Sequence, residues 1–308
     1  MPVKKEYAKQ LNDSIYTMRF FPRWLFIIIA LFMIVIGFVL NFNLSDIISG
    51  YISTKISKLK SCPITYQHID IGFFPPALKL ASPVIHGNCF GRNADHLNLE
   101  QAKLRLATPS LYPPGLKFHT LITDKKSKLN IYSSISFSQN WIKIQDSTLE
   151  TGSLAFLATQ LPTINGTIAI DALFSLTRDS LTSAKVYLKS NNIHLPGQNL
   201  SGIHIPDMRI GNFSFKGSYG PSGTLVISDL IIGNPLSPLV AQISGEIDVN
   251  QKNFNYSKLN LTGEVKFSPQ LLQSFSILNL FLGGKREKNG FYQLSIRGTV
   301  RSPSPSIL

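Results

Sequence analysis

Residues 239–267 read LVAQISGEIDVNQKNFNYSKLNLTGEVKF. Ile243, Ile247 and Val249, and again Leu261, Val265 and Phe267, alternate with Ser244, Glu246 and Asp248 or with Thr262, Glu264 and Lys266. Period two is the mark of a strand with one apolar and one polar face, because successive side chains leave the backbone on opposite sides. Glycine stands in the apolar phase of both runs, at Gly245 and Gly263, and the signature recurs in INGTIAI and IRGTVRS with Gly166 and Gly298 in phase. A glycine inside a strand marks a bend or the close approach of another group. Two readings follow: these glycines serve the coiling of a strongly curved sheet, or they line a groove and form notches that admit an acyl chain or a partner segment.

The same alternation fills the rest of the chain after Cys62. It is read at Ile64–Phe73, Leu78–Ile85, Leu97–Leu106, Leu129–Phe137, Ile164–Phe174, Lys185–Ile193, Met208–Phe215, Leu225–Ile232 and Phe291–Val300, separated by turn residues. Strands without helical crossovers between them predict an antiparallel meander. The expected fold class is therefore mainly β: one elongated, curved antiparallel sheet over 62–308 with short capping helices. A short helix is expected at Ser153–Leu161. A stronger one is expected at Ser268–Leu282, where serine precedes Pro269 and Gly283-Gly284 follows as a stop. That second helix is apolar nearly all round, so Leu271, Leu272, Phe275, Leu278 and Phe281 are either packed on the sheet or offered to a partner.

Upstream the pattern differs. Trp24–Leu44 is uncharged and spans about 31 Å as a helix, the thickness of a bilayer's hydrocarbon core. Ahead of it, Lys4, Lys5, Lys9, Arg19 and Arg23 against Glu6 and Asp13 leave a net +3, a bias that keeps that end in the cytoplasm. The run exceeds a signal-peptide core, and no small-x-small cleavage site follows, so a retained signal anchor is expected. The chain then divides into a basic cytoplasmic segment (1–23), a transmembrane anchor (24–44), an amphipathic juxtamembrane helix (45–61) carrying Ile48, Ile52, Ile56 and Leu59 at helical spacing, and an exported β domain (62–308).

Composition narrows the function. The chain of 308 residues has a net charge of +13, 44% hydrophobic and 15% charged residues, and its mean hydropathy is +0.10. Such a balance excludes a disordered chain. Two cysteines exclude a disulfide-dense scaffold. If the chain turns about Pro75-Pro76, Cys62 and Cys89 meet across a hairpin, and an oxidising compartment would bond them; two buried thiols, or a metal or redox role, are the other readings. No H-E-x-x-H, G-x-S-x-G, phosphate-loop or G-x-G-x-x-G motif occurs, so no catalytic, cofactor-binding or metal-binding residue is assigned and no enzymatic activity or cofactor is expected. His194 and His204 flank a Pro-Gly turn and read as surface residues. The excess charge beyond the anchor is spread thinly, without the aromatics that stack bases, so nucleic acid is not an expected partner. Basic loops near anionic lipid explain it more simply.

The C-terminal third, NPLSPLVAQISGEIDVN, YSKLNLTGEVKFSPQLLQSFSILNLFLGG and NGFYQLSIRGTVRSPSPSIL, resembles the type II secretion system protein N (GspN) family. The anchor followed by TYQHIDIGFFPPALKLASPVIHG resembles the opening of that family and of the AsmA-like superfamily. The resemblance departs at the cysteine pair and in the basic loops, and it carries no catalytic residue. It implies a single-pass protein of the bacterial inner membrane with its C-terminal domain in the periplasm. Two functions follow from it: a non-enzymatic scaffold in type II protein secretion, with other secretion subunits as partners, or an AsmA-like lipid-binding or lipid-transfer protein of envelope biogenesis, with phospholipid or a lipopolysaccharide-type lipid as ligand.

Overall fold

The computed structural model describes residues 23–41, 44–57, 62–73, 75–90, 96–111, 114–137, 139–152, 164–177, 180–200, 203–251, 253–274, 282, 285 and 289–307. The chain divides into two units, Met1–Ile52 and Ser53–Leu308. Helix α1 covers Arg23–Asn41 and helix α2 covers Leu44–Ser57. Along α1 the apolar side chains of Trp24, Ile27, Ile28, Ile29, Leu31, Phe32, Met33, Ile34 and Val35 are all half or more exposed. Among the described residues no helix is long and apolar enough to cross a membrane. Of the span expected over Trp24–Leu44, α1 covers the part up to Asn41 and α2 begins at Leu44, while 42–43 lie outside the described residues.

Most of the rest of the described chain is strand. In order these are β1 (Ile64–Thr65), β2 (His68–Phe73), β3 (Pro76–Ala81), β4 (Val84–His86), β5 (His96–Asn98), β6 (Gln101–Leu106), β7 (Ser110–Leu111), β8 (Pro114–Asp124), β9 (Ser127–Ser136) and β10 (Asn140–Glu150). There follow β11 (Thr167–Thr177), β12 (Ser180–Leu195), β13 (Gln198–Leu200), β14 (Ile203–Ile205), β15 (Met208–Tyr219), β16 (Thr224–Ile232), β17 (Leu239–Asp248), β18 (Lys258–Phe267), β19 (Tyr292–Thr299) and β20 (Pro303–Ile307). Fifteen of them form one sheet, in which β2 and β3 lead through β6 and β8 to β12, then through β15 to β20, each strand beside the next. All its pairings are antiparallel. This is the mainly β, antiparallel meander that the alternating pattern predicts.

Strands β1, β4 and β5 form a separate small sheet, yet each lies in the same run of chain as a strand of the large one. The break falls at Ser82, whose φ of 48° is left-handed, and at the fully buried Pro83. Bonds carry the ladder through the corner, from Ser82 N to Glu100 O (2.8 Å) and from Leu99 N to Pro83 O (3.0 Å). The far ends are handled differently. Strand β20 is a sheet edge carrying Pro303 and Pro305, tolerated there because an edge strand needs amides on one side only.

Six strands depart from the expected list, among them the two- and three-residue β7, β13 and β14. Strand β10 is missed by period-two reading because a bulge between Ile144 and Ser147 breaks its phase. Strand β20 is hidden by its prolines, and β8 (Pro114–Asp124) is a plain omission, since Leu116, Phe118 and Ile122 do alternate. The helix expected at Ser268–Leu282 is described as α3, Pro269–Ser274. Its start is as read: the Ser268 hydroxyl accepts from Leu271 N at 3.2 Å, the geometry of an N-cap with proline in the first turn. The helix expected at Ser153–Leu161, and the positions Phe275, Leu278 and Phe281, lie outside the described residues.

Candidate functional site

Pairing register places one apolar row across the whole large sheet. It runs through Ile71, Leu78, Leu104, Thr120, Ile131, Ile144 and Ala172, then Val186, Gly217, Ile227, Gly245, Leu261, Ile296 and Pro305, each opposite the next. Thr120 is its only hydroxyl-bearing member. Flanking rows repeat the character, as in Leu188, Phe215, Leu230, Ile243, Gly263 and Leu294. A sheet with one continuous apolar face normally buries it under a second layer.

Here the cover is partial. Over β17, β18 and β19, Leu272 and Leu282 pack on Ala241, Val265 and Tyr292. Next to that patch, Ile227, Ile247 and Leu261 are 6%, 8% and 9% exposed and form a second cluster with Phe215, Leu225 and Ile296. On β6, β8 and β9 the same face is open: Leu104, Leu116 and Ile135 are 38%, 48% and 58% exposed. The apolar face is therefore best covered at its C-terminal strands and most exposed at Leu104, Leu116 and Ile135.

The glycines sit on this face between bulky neighbours. Gly245 lies between Ile227 and Leu261, Gly263 between Ile243 and Leu294, and Gly298 between Leu259 and Pro303. A Cβ would meet backbone in each case: 2.8 Å from Leu261 Cα at Gly245, 2.8 Å from Ile243 Cα at Gly263, 2.6 Å from Ser302 O at Gly298 and 2.8 Å from Asn192 O at Gly166. Gly166, Gly245 and Gly298 also have positive φ, at 144°, 140° and 94°. Close approach of the neighbouring chain accounts for all four, and a large side chain there would break the sheet before it filled any notch.

Leu271 is buried and Leu272 is packed into the cluster under α3. These two members of the expected partner surface are therefore committed to the fold, because an apolar helix beside an apolar sheet buries itself there first. Cys62 and Cys89 are joined by a disulfide. The register differs from the one expected: His68 faces Ala81 and Ile64 faces Ile85, two residues short of the hairpin centred on Pro75-Pro76. A 3-10 turn at Gly87–Phe90 takes up the difference and carries Cys89 back to Cys62. Nearby, His86 and His96 are directly opposed, their rings 5.7 Å apart.

His194 Nε2 lies 3.0 Å from both carboxylate oxygens of Asp207, so its partner is Asp207 and not His204, which pairs through β14 with Asn199. Among the described residues no group of three or more metal-ligating side chains occurs. Compared with known proteins, the chain matches no family model, no curated protein and no solved structure.

Proposed function

We propose that this chain is a membrane-anchored β protein that holds lipid acyl chains on the open apolar face of its sheet. One observation carries the reading: an apolar row over strands β2 to β20, broken only by Thr120, covered by α3 and Leu282 at one end and exposed at Leu104, Leu116 and Ile135 on β6, β8 and β9. Exposed apolar area of that extent is costly in water, at about 25 cal/mol for each Å², and a sheet retains it when something apolar is to be received there. The anchor in this reading is the uncharged run Trp24–Leu44, supported by apolar side chains exposed around α1. The Cys62–Cys89 disulfide supports a reading in which the sheet lies in an oxidising compartment, as a bacterial inner-membrane protein facing the periplasm would, in keeping with the AsmA-like resemblance.

The test is purification of the full chain in a mild non-ionic detergent, followed by mass spectrometry of retained lipid. Phospholipid or a lipopolysaccharide-type lipid is expected with the native chain and is expected to fall away in a Leu104→Lys, Ile131→Lys double variant. Crosslinks to secretion subunits without retained lipid would sink this reading in favour of the type II secretion scaffold.

A further inference from the structure

The sheet carries a second feature. The bulge in β10 displaces Asp146, whose φ of 49° is left-handed and uncommon for a residue other than glycine. The bulge is held on both sides: Asp146 N donates to Asp171 Oδ1 at 3.2 Å, and Asp146 O accepts from Asn130 Nδ2 at 3.1 Å. A second irregularity falls between Lys216 and Gly217 in the pairing of β15 with β16. Between the two lies an open depression of about 580 Å³, lined by Lys143, Lys185, Lys216, Asp146, Asp171 and Tyr187 and also by Ile144, Ala172, Val186 and Gly217 of the apolar row. Bulges re-aim side chains and recur beside binding sites.

The lining has a definite chemistry. Lys143 and Lys185 stand on either side of Leu173, one strand away in each direction, and the Lys216 ammonium lies 5.7 Å from the centre of the Tyr187 ring. Among the described residues none of the three lysines is in an ion pair. We infer that this depression binds a phosphorylated saccharide. Three lysines against two aspartates leave the lining net positive, which favours one phosphate; the two carboxylates accept hydrogen bonds from sugar hydroxyls, and the Tyr187 ring offers a flat apolar wall to the C–H face of a pyranose. A polyanion would meet two carboxylates within the site, and a neutral sugar would leave the site's net positive charge unmatched. The volume suits one or two sugar rings.

The test uses the full chain in a polyoxyethylene detergent, which has no sugar headgroup to compete, with binding followed by ³¹P line broadening and calorimetry. Glucose 6-phosphate is expected to bind at least tenfold more tightly than glucose or inorganic phosphate. A Lys143→Glu, Lys185→Glu variant is expected to lose that binding, Tyr187→Ala to fall to the level of inorganic phosphate, and the remote Lys258→Glu to bind as the native chain does. Thermal unfolding checks that each variant is folded. Equal affinity for glucose 6-phosphate and inorganic phosphate, or undiminished binding by the folded double variant, overturns the proposal. Monophosphorylated lipid A in mixed micelles distinguishes the source: tighter binding than glucose 6-phosphate assigns a lipid headgroup, equal binding a free sugar phosphate. The variants replace only Lys143, Lys185 and Tyr187, none of them in the apolar row, so acyl-chain retention measured on the same variants lets the two readings fail separately.

Discussion

Gly245 lies directly opposite Leu261, and a Cβ on Gly245 would stand 2.8 Å from the Leu261 Cα, closer still to the Asn260 carbonyl oxygen. With φ at 140° the residue also occupies backbone space that side chains rarely enter. Gly245→Ala is expected to destabilise the domain by ~3 kcal/mol, from strain and overpacking together. Gly220→Ala, with nothing within 4 Å of its Cβ, is expected to be near neutral. Denaturant midpoints of the two variants check this, and equal midpoints would refute it.

The Cys62–Cys89 bond closes a separation of 27 residues. Chain-entropy arithmetic for such a loop gives ~3.5 kcal/mol of stabilisation. Reduction, or a Cys62→Ser, Cys89→Ser variant, is expected to lower the midpoint accordingly. Alkylation of the unreduced, denatured chain is expected to label neither cysteine by intact mass.

Helix α3 is held from both ends of its first turn. Ser268→Ala removes the cap to Leu271 N and is expected to cost about 1 kcal/mol. Leu271→Ala empties a buried site and is expected to cost about 2–5 kcal/mol. Were Leu271 a partner contact, the second substitution would leave unfolding unchanged.

Lys79 and Lys103 face one another across β3 and β6, and like charges directly opposed are destabilising. Lys103→Glu is expected to stabilise the sheet by roughly 0.5–1 kcal/mol at low salt, with the gain shrinking as salt screens it. A midpoint that falls, or does not depend on salt, would contradict the register.

That pair also shows where reading by residue type stops short. The excess of lysine and arginine was expected on loops, thinly spread. Register instead lines up Arg105, His119, Tyr132, Lys143, Leu173 and Lys185 in one row of the polar face. Positions far apart in sequence become neighbours because each antiparallel turn adds a strand about 4.8 Å away, and no local pattern encodes which residues will meet.

The alternation at Leu239–Phe267, the N-cap at Ser268 and the glycines in apolar phase were all legible in the chain, because each rests on interactions within a few residues. The disulfide was legible only in outline, since the pairing falls two residues short of the expected register and the 3-10 turn that contains Cys89 takes up the difference. The open stretch of apolar face, the bulge at Asp146 and the depression between Lys143, Lys185 and Lys216 were not legible at all. They depend on how far neighbouring strands slip and where the ladder breaks, quantities set by packing between strands and not by the order of residues within one.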